Sequence, residues 1–303
     1  KFMNKVNFYN RGQSLIGIII VLIVVGLISS GLYYYRQKQI PEIPEITEKP
    51  TEKVTPEEQV IEDNSTKPSS PQVYLSSLLP GQGDTLLIRI NSEFPINEAN
   101  GKLNSQKINF FKLKKGWMSI IGISVKKKLG KYNLVINFSN GETFKKELKI
   151  IERKFPIEEF LVSEELKKEG YTQSKIVEEL VSKEKPLLDE IFKVFTPRVY
   201  FDKPFIYPLE KIEVTGNFGA IRKNGGTAIQ HLGVDLKADV GTPVYAINDG
   251  VVLFSQETKM YGKTIIIDHG FSIFSLYCHL SEFEVSNGEE VKRGEIVGLF
   301  RKR

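Results

Sequence analysis

The chain has 303 residues, 41% of them hydrophobic and 26% charged, so it is long enough for two domains with packed cores. Its net charge of +5 is mild and indicates no nucleic-acid partner. One cysteine, Cys278, excludes an intrachain disulfide framework and a cysteine-based metal site. Residues 73–153 contain 14 Lys and Arg against 6 Asp and Glu, whereas residues 200–303 contain 12 against 13. A basic region can meet an anionic surface such as wall polymer or phospholipid, although a solvated basic face is commoner.

Residues 15–35 carry no charge and are dominated by Ile, Leu and Val. A helix of this length matches the hydrocarbon thickness of a bilayer, about 30 Å. Basic residues are slightly more frequent before this segment than directly after it. The sequence therefore predicts a transmembrane helix over 15–35, with residues 1–14 in the cytoplasm. The protein is expected in the cell membrane as a single-pass protein, with the bulk of the chain on the extracytoplasmic side.

The segment that begins Arg11-Gly12-Gln13 resembles a type IV prepilin leader, in which cleavage follows the glycine. That family usually has Glu five residues after the cut, where this chain has Gly17. A plain signal anchor is therefore the favoured interpretation, with a cleaved prepilin-like leader as the alternative.

Residues 36–72 are rich in Pro, Glu and Thr and almost lack aromatic residues, which predicts an extended linker. Short β-rich runs at 85–90, 108–111, 118–121 and 132–138 then alternate with turn signals such as Asn100-Gly101 and Asn140-Gly141. This pattern favours an immunoglobulin-like β domain over 73–153. Apolar residues at helical spacing between 174 and 188 predict a helical connector over 154–199, with Ser174 as a helix cap and Pro186 as a kink or stop.

All three histidines, His231, His269 and His279, lie in the C-terminal third of the chain. His231 and Asp235 are a reasonable pair of zinc ligands, because zinc accepts imidazole and carboxylate. Four residues on a straight strand span about 13 Å, so both side chains could reach one ion only across a bend, which Gly233 would permit. A lone His and Asp at this spacing is more often structural.

The surrounding motifs extend this pattern. They are Gly219, His231-Leu232-Gly233-Val234-Asp235, Gly241-Thr242-Pro243-Val244, Asp249-Gly250, Asp268-His269-Gly270, Leu276-Tyr277-Cys278-His279-Leu280 and Gly288…Gly294…Gly298. As a set they closely resemble the catalytic domain of lysostaphin-type (LytM-like) zinc metallopeptidases, over residues 217–298.

The resemblance implies an antiparallel β domain (a duplicated hybrid motif) over 200–303, a Zn²⁺ cofactor, and hydrolysis of peptide bonds in peptidoglycan. By motif, His231 and Asp235 fall on the first two metal ligands, and His279 falls on a catalytic histidine that binds or polarises the water or oxyanion. His269, in an Asp-His-Gly turn, is expected to be structural. Cys278 should point away from His279 by strand alternation, as a small buried hydrophobic residue.

The family's third ligand comes from a later His-x-His motif, and no histidine follows His279 here. A truncated catalytic domain is the first expectation, so the activity of this chain is in doubt; a noncatalytic wall-binding or hydrolase-regulating relative is the alternative. A ligand from a partner chain is less favoured. The glycine and valine pattern around Lys292 also resembles lipoyl or biotinyl carriers, but Lys292 lies within the pattern instead of at a hairpin tip. The whole chain is thus expected to be mostly β, with peptidoglycan as its partner.

Overall fold

The computed structural model describes residues 70–93, 96–113 and 116–301, which all belong to one compact unit. The predicted cytoplasmic segment, the predicted transmembrane helix at 15–35 and almost all of the predicted linker lie outside the described residues. Within the described ranges, no helix is both long enough and apolar enough to cross a bilayer. These residues form many strands and a few short helices, which confirms the mostly β prediction.

Residues 72–150 form two four-stranded antiparallel sheets around one shared core. The strands are β1 (Gln72–Leu75), β2 (Thr85–Asn91), β3 (Ala99–Leu103), β4 (Gln106–Ile108), β5 (Phe111–Lys112), β6 (Trp117–Gly122), β7 (Gly130–Phe138) and β8 (Thr143–Ile150). One sheet has the order β1-β2-β6-β5 and the other β4-β3-β7-β8. Strand β2 shows the reason for this packing, because Leu86, Ile88 and Ile90 are buried while the alternate residues face outward. The result is a β-sandwich, and its immunoglobulin-like topology stays a prediction.

Two local predictions in the sandwich are wrong. Asn100-Gly101 does not form a turn but lies inside β3, where a Cβ on Gly101 would stand 2.8 Å from the Phe110 ring. The glycine is used there for close packing of an aromatic ring. The predicted strand at 108–111 is two strands, β4 and β5, which belong to different sheets.

The connector contains a short strand and four short helical segments. They are β9 (Ile157–Glu159), α1 (Glu164–Lys168), α2 (Gln173–Glu179), a π-helical turn (Leu180–Glu184) and α3 (Lys185–Ile191). Thr172, not Ser174, caps α2, since its side chain accepts a hydrogen bond from the Lys175 N–H. Pro186 does not end the helix. It lies in the first turn of α3, where a missing N–H is tolerated.

The C-terminal region is built on a six-stranded antiparallel sheet with its own core. The strands of the whole C-terminal region are β10 (Val214–Gly216), β11 (Ile221–Asn224), β12 (Thr227–Gln230), β13 (Asp235–Leu236), β14 (Pro243–Tyr245), β15 (Gly250–Thr258), β16 (Gly262–Asp268), β17 (Phe274–Phe283), β18 (Glu290–Val291) and β19 (Ile296–Phe300). The large sheet has the order β14-β19-β17-β16-β15-β18. Two small sheets, β10-β13 and β12-β11-β9, carry the segment around His231, and β9 joins β11 in parallel.

Aromatic contacts join the sandwich to the C-terminal region. The Phe271 ring lies 5.0 Å from the ring of Phe111 in β5 and 5.6 Å from that of Phe195. Phe271 and Ser272 both have positive φ, so the turn between β16 and β17 holds two non-glycine residues in the left-handed region. The turn thus presents Phe271 to the sandwich at some cost in backbone strain.

Candidate active site

His231 and Asp235 lie on either side of a bend in the chain. Strand β12 ends at Gln230, the chain bends at Gly233, and β13 begins at Asp235. The bend brings His231 Nε2 within 3.4 Å of Asp235 Oδ1. On a straight strand the two residues would be about 13 Å apart. Gly233 is at the bend, but its φ is not positive and an added Cβ would meet only His231 Nε2 at 3.7 Å. The bend therefore does not require glycine.

The backbone and ring of His231 are held by the segment at 217–220. Its N–H donates to the Ala220 carbonyl at 2.8 Å, and its carbonyl accepts from the Gly219 N–H at 2.7 Å. Its ring Nδ1 lies 3.2 Å from the Asn217 carbonyl oxygen. Arg222 Nη2 lies 3.4 Å from the same Nδ1 and can only donate, whereas the carbonyl can only accept. The shorter contact, with the carbonyl, favours the proton on Nδ1 and leaves the lone pair of a neutral ring on Nε2. That lone pair points toward a carboxylate oxygen.

The Asp235 carboxylate is held by the guanidinium of Arg222 and by close packing against Gly216. Arg222 Nη2 donates to Asp235 Oδ2 at 2.5 Å, and Arg222 Nε lies 3.6 Å from Glu158 Oε2 on β9. A Cβ on Gly216 would stand 2.5 Å from Asp235 Oδ2. The carboxylate is therefore confined between β10 and Arg222, with Oδ1 turned toward His231.

The distance between His231 Nε2 and Asp235 Oδ1 fits two ligands of one cation. Zinc–nitrogen and zinc–oxygen distances of about 2.0–2.2 Å predict about 3.4 Å between two corners of a tetrahedron. The observed 3.4 Å between His231 Nε2 and Asp235 Oδ1 is long for a hydrogen bond and equals that edge. Across residues 70–93, 96–113 and 116–301, no group of three or more His, Cys, Asp and Glu side chains is placed to hold a metal. Among the described residues, this histidine and this aspartate are therefore the candidate ligand pair.

His279 lies on β17 at a β-bulge. Lys263 of β16 pairs with Leu280, whereas Ile265 pairs with Tyr277, so Cys278 and His279 together face one residue. His279 has a φ of +56°, in the left-handed region, and its N–H donates to the Tyr261 carbonyl at 2.8 Å. Both features re-aim the imidazole relative to a regular strand, and the ring is half-buried.

The bulge overturns the predicted alternation at Cys278. Tyr277 and Leu280 are both buried, although regular alternation would turn residues three apart to opposite faces. Cys278 and His279 lie between them and are both half-buried. Cys278 is therefore not the fully buried residue that alternation predicts.

His269 has the structural setting expected of it. The side chain is fully buried, with Nδ1 at 2.7 Å from the Asp249 carbonyl and Nε2 at 2.9 Å from Ser275 Oγ. Burial lowers the pKa of His269 below its ordinary value, so the ring is neutral near pH 7. A neutral ring with its proton on Nδ1 satisfies both contacts.

Sequence reasoning missed Gly216, Arg222 and Glu158. Arg222 faces Ile229 in the β11–β12 hairpin, whose turn contains Gly225-Gly226. That Gly-Gly signal could have predicted the hairpin and placed Arg222 near His231. Glu158 lies beside Arg222 because β9 pairs in parallel with β11. The two residues are 64 positions apart in the sequence, so no local pattern predicts their contact.

An imidazole and a carboxylate at metal-ligand spacing on a β-sheet domain define a candidate metal-dependent enzyme domain. Residues 229–303 match the model of Peptidase family M23, and this part of the chain is an M23 peptidase domain. His231, Asp235 and His279 all lie inside the matched region.

Relatives resemble this chain over the same region. Peptidoglycan DD-endopeptidase ShyA of Vibrio cholerae is 35% identical over 96 residues, which is 31% of this chain and 22% of the relative. Glycyl-glycine endopeptidase ALE-1 of Staphylococcus capitis is 40% identical over 77 residues, 25% of this chain and 20% of the relative. A solved structure of a putative peptidase M23 from Pseudomonas aeruginosa is 20% identical, with a TM-score of 0.46, and the match covers 73% of this chain and 83% of that one. The chain spans about a fifth of the length of the curated relatives it matches.

Proposed function

We propose that this chain is a membrane-anchored zinc metalloendopeptidase of the cell envelope that hydrolyses peptide bonds of peptidoglycan. The observation that carries the proposal is the 3.4 Å approach of His231 Nε2 to Asp235 Oδ1 inside the M23 match. The relatives named as peptidoglycan endopeptidases support the substrate class.

In this proposal, His231 and Asp235 are two ligands of Zn²⁺. A bound zinc ion would polarise the scissile carbonyl and lower the pKa of a bound water. Asn217 keeps the proton of His231 on Nδ1, so that Nε2 is available as a ligand. Arg222 keeps Asp235 Oδ2 occupied and thereby directs Oδ1 toward the metal position.

His279 has the second role. Its imidazole would donate a hydrogen bond to the attacking water or to the oxyanion that forms at the scissile carbonyl. A left-handed backbone conformation on a non-glycine residue is costly and is typical of functional positions. Asn104, Phe271 and Ser272 share this conformation, so it supports a catalytic role for His279 only together with the position of His279 inside the M23 match.

The test is zinc content and cell-wall hydrolysis by the purified protein. We expect His231→Ala and Asp235→Ala to weaken zinc binding at least about ten-fold, and His279→Ala to keep zinc but lose hydrolysis of purified peptidoglycan. Asp239→Asn, an exposed carboxylate four residues from Asp235, is the matched control and should change neither. Wild-type protein that binds wall material without zinc or hydrolysis would instead indicate a noncatalytic wall-binding protein.

The membrane anchor is proposed from the sequence alone. An uncharged segment at 15–35 followed by a Pro-rich linker would hold the catalytic domain at a distance from the bilayer. Deletion of residues 1–35 should move the protein from the membrane fraction to the soluble fraction. Retention in membranes after the deletion would contradict the anchor.

A further inference from the structure

Glu184 is a buried carboxylate in the connector that the proposed chemistry does not use. It is 5% exposed and lies at the end of the π-helical turn, outside the M23 match. The Lys185 N–H bonds the Leu180 carbonyl five residues back, and Pro186 has no N–H to offer the Ser182 carbonyl. This widened turn directs Glu184 toward the C-terminal sheet.

The carboxylate of Glu184 binds the turn between β15 and β16. Oε1 accepts from the Met260 N–H at 2.5 Å, and Oε2 accepts from the Tyr261 N–H at 3.2 Å. The Thr258 hydroxyl donates to Oε2 at 3.3 Å and accepts from the same Tyr261 N–H at 3.2 Å. Three donors of one turn therefore converge on a single side chain from the connector.

The same turn holds the backbone of His279. The Tyr261 carbonyl accepts the His279 N–H at 2.8 Å, at the bulge where His279 adopts positive φ. Gly262 follows directly, and a Cβ there would lie 3.4 Å from His279 Nδ1 and 3.5 Å from its Cα. The peptide unit of Tyr261 thus donates its N–H to the connector, while its carbonyl restrains the histidine.

We propose that Glu184 is a positioning residue for His279. The carboxylate fixes the turn at 258–261, and the turn fixes the strained bulge that aims the imidazole. The role of His279 in hydrolysis rests on the proposed function, but its positioning by Glu184 does not. An exposed carboxylate would not suffice, because water would compete for the N–H groups of the turn.

Backbone amide hydrogen exchange and histidine ring NMR on the full chain test the positioning directly. Glu184→Gln keeps the side-chain shape but replaces an acceptor oxygen with an NH₂ group that cannot accept. We expect exchange at Met260, Tyr261 and His279 to accelerate at least about ten-fold, as for loss of one hydrogen bond to a charged group. The ring signals of His279 should shift, while those of His269 should stay unchanged.

A matched control and a milder variant keep the test decisive. Glu190→Gln alters an exposed glutamate of the same connector, paired with Lys193, and should change none of these signals. Thr258→Val replaces the hydroxyl with a methyl group of similar size and should produce a smaller shift of the His279 signals, which can be measured even if Glu184→Gln fails to fold. Faster exchange at Met260 and Tyr261 with unchanged His279 signals would mean that Glu184 only anchors the connector, which overturns the proposal.

Kinetics separate this proposal from the proposed function. If His279→Ala abolishes hydrolysis, Glu184→Gln should lower kcat about ten-fold with little change in KM. If His279→Ala leaves hydrolysis intact, the proposed function fails, and the exchange and ring signals still decide the positioning. Hydrolysis that depends on His279 but not on Glu184 would overturn the positioning proposal alone.

Discussion

Gly216 is the residue whose small size most directly shapes the candidate metal site. A Cβ there would stand 2.5 Å from Asp235 Oδ2 and 3.0 Å from Arg222 Nη2. We therefore expect Gly216→Ala to displace the carboxylate and weaken zinc binding about ten-fold or more, because ligand placement sets metal affinity. The measurement is zinc titration by calorimetry.

Gly122→Ala is the matched control, because a Cβ there meets nothing within 4 Å and the residue is also in a β-strand. Its zinc affinity should equal that of the unaltered protein. Equal affinity in Gly216→Ala would show that Asp235 is not confined as the contacts indicate.

His269 makes folding depend on pH in a defined direction. Burial lowers its pKa in the folded state, whereas the unfolded chain keeps a value near 6.5. Well above pH 6.5 the ring is neutral in both states, and its titration no longer changes the free energy of unfolding. As the pH falls below 6.5, the unfolded state binds a proton at this ring, whereas the ring in the folded state stays neutral. The free energy of unfolding therefore decreases by up to about 1.4 kcal/mol per pH unit.

Urea unfolding at pH 7.5 and pH 5.5 measures this effect. The His269→Gln variant should be less stable at pH 7.5, because a buried contact is changed, but it should lose less stability on acidification. The difference between the two slopes isolates His269 from the other groups that titrate. Parallel slopes would mean that His269 titrates normally in the folded protein.

The turn between β16 and β17 contains three consecutive residues with positive φ, Gly270, Phe271 and Ser272. Gly270 has φ +87°, and a Cβ there would stand 1.7 Å from the Arg198 carbonyl oxygen. Gly141, in the turn between β7 and β8, has φ +86° with nothing within 4 Å. The two glycines have the same backbone conformation and differ in the space around them.

Thermal unfolding of Gly270→Ala and Gly141→Ala should therefore separate strain from steric overlap. Gly141→Ala should lower the free energy of unfolding by about 1–2 kcal/mol, because alanine must adopt a left-handed conformation there. Gly270→Ala should cost several kcal/mol, because the connector backbone must move as well. Similar losses in the two variants would show that the approach of Arg198 is easily relaxed.

The elements differ in how far sequence predicts them. Strands β2, β6 and β7 follow from alternation and β-branched residues, and the motifs around His231 and His279 identify the candidate site. The turn predicted at Asn100-Gly101 was wrong because the glycine at this position allows the Phe110 ring to pack closely instead of forming a turn. The bulge at His279 could not be predicted, since it depends on pairing with β16 and on a turn held from the connector.

At the scale of the molecule, an aromatic contact lies between the two β regions that the structure describes. Phe271 stacks edge-on against Phe111, with ring centroids 5.0 Å apart. A double-mutant cycle with Phe111→Ala and Phe271→Ala should give a coupling energy of about 0.5–1.5 kcal/mol in urea unfolding. The coupling would measure how strongly the sandwich and the C-terminal region stabilise one another.

Phe205→Ala provides the comparison for this cycle. Phe205 stacks on Phe201 and His269, not on Phe111, among the described ring contacts. The cycle of Phe111→Ala with Phe205→Ala should give no coupling beyond about 0.5 kcal/mol. Zero coupling between Phe111 and Phe271 would mean that the two regions unfold independently of this contact.

The parallel pairing of β9 with β11 sets the smallest piece of this chain that can be expected to work alone. The family match begins at residue 229, yet Asn217 and Arg222 precede it, and Arg222 reaches back to Glu158. A fragment cut at residue 229 would retain His231 and Asp235 but remove the groups that orient their side chains. Excision for biochemistry should therefore begin upstream of Ile157, where β9 starts.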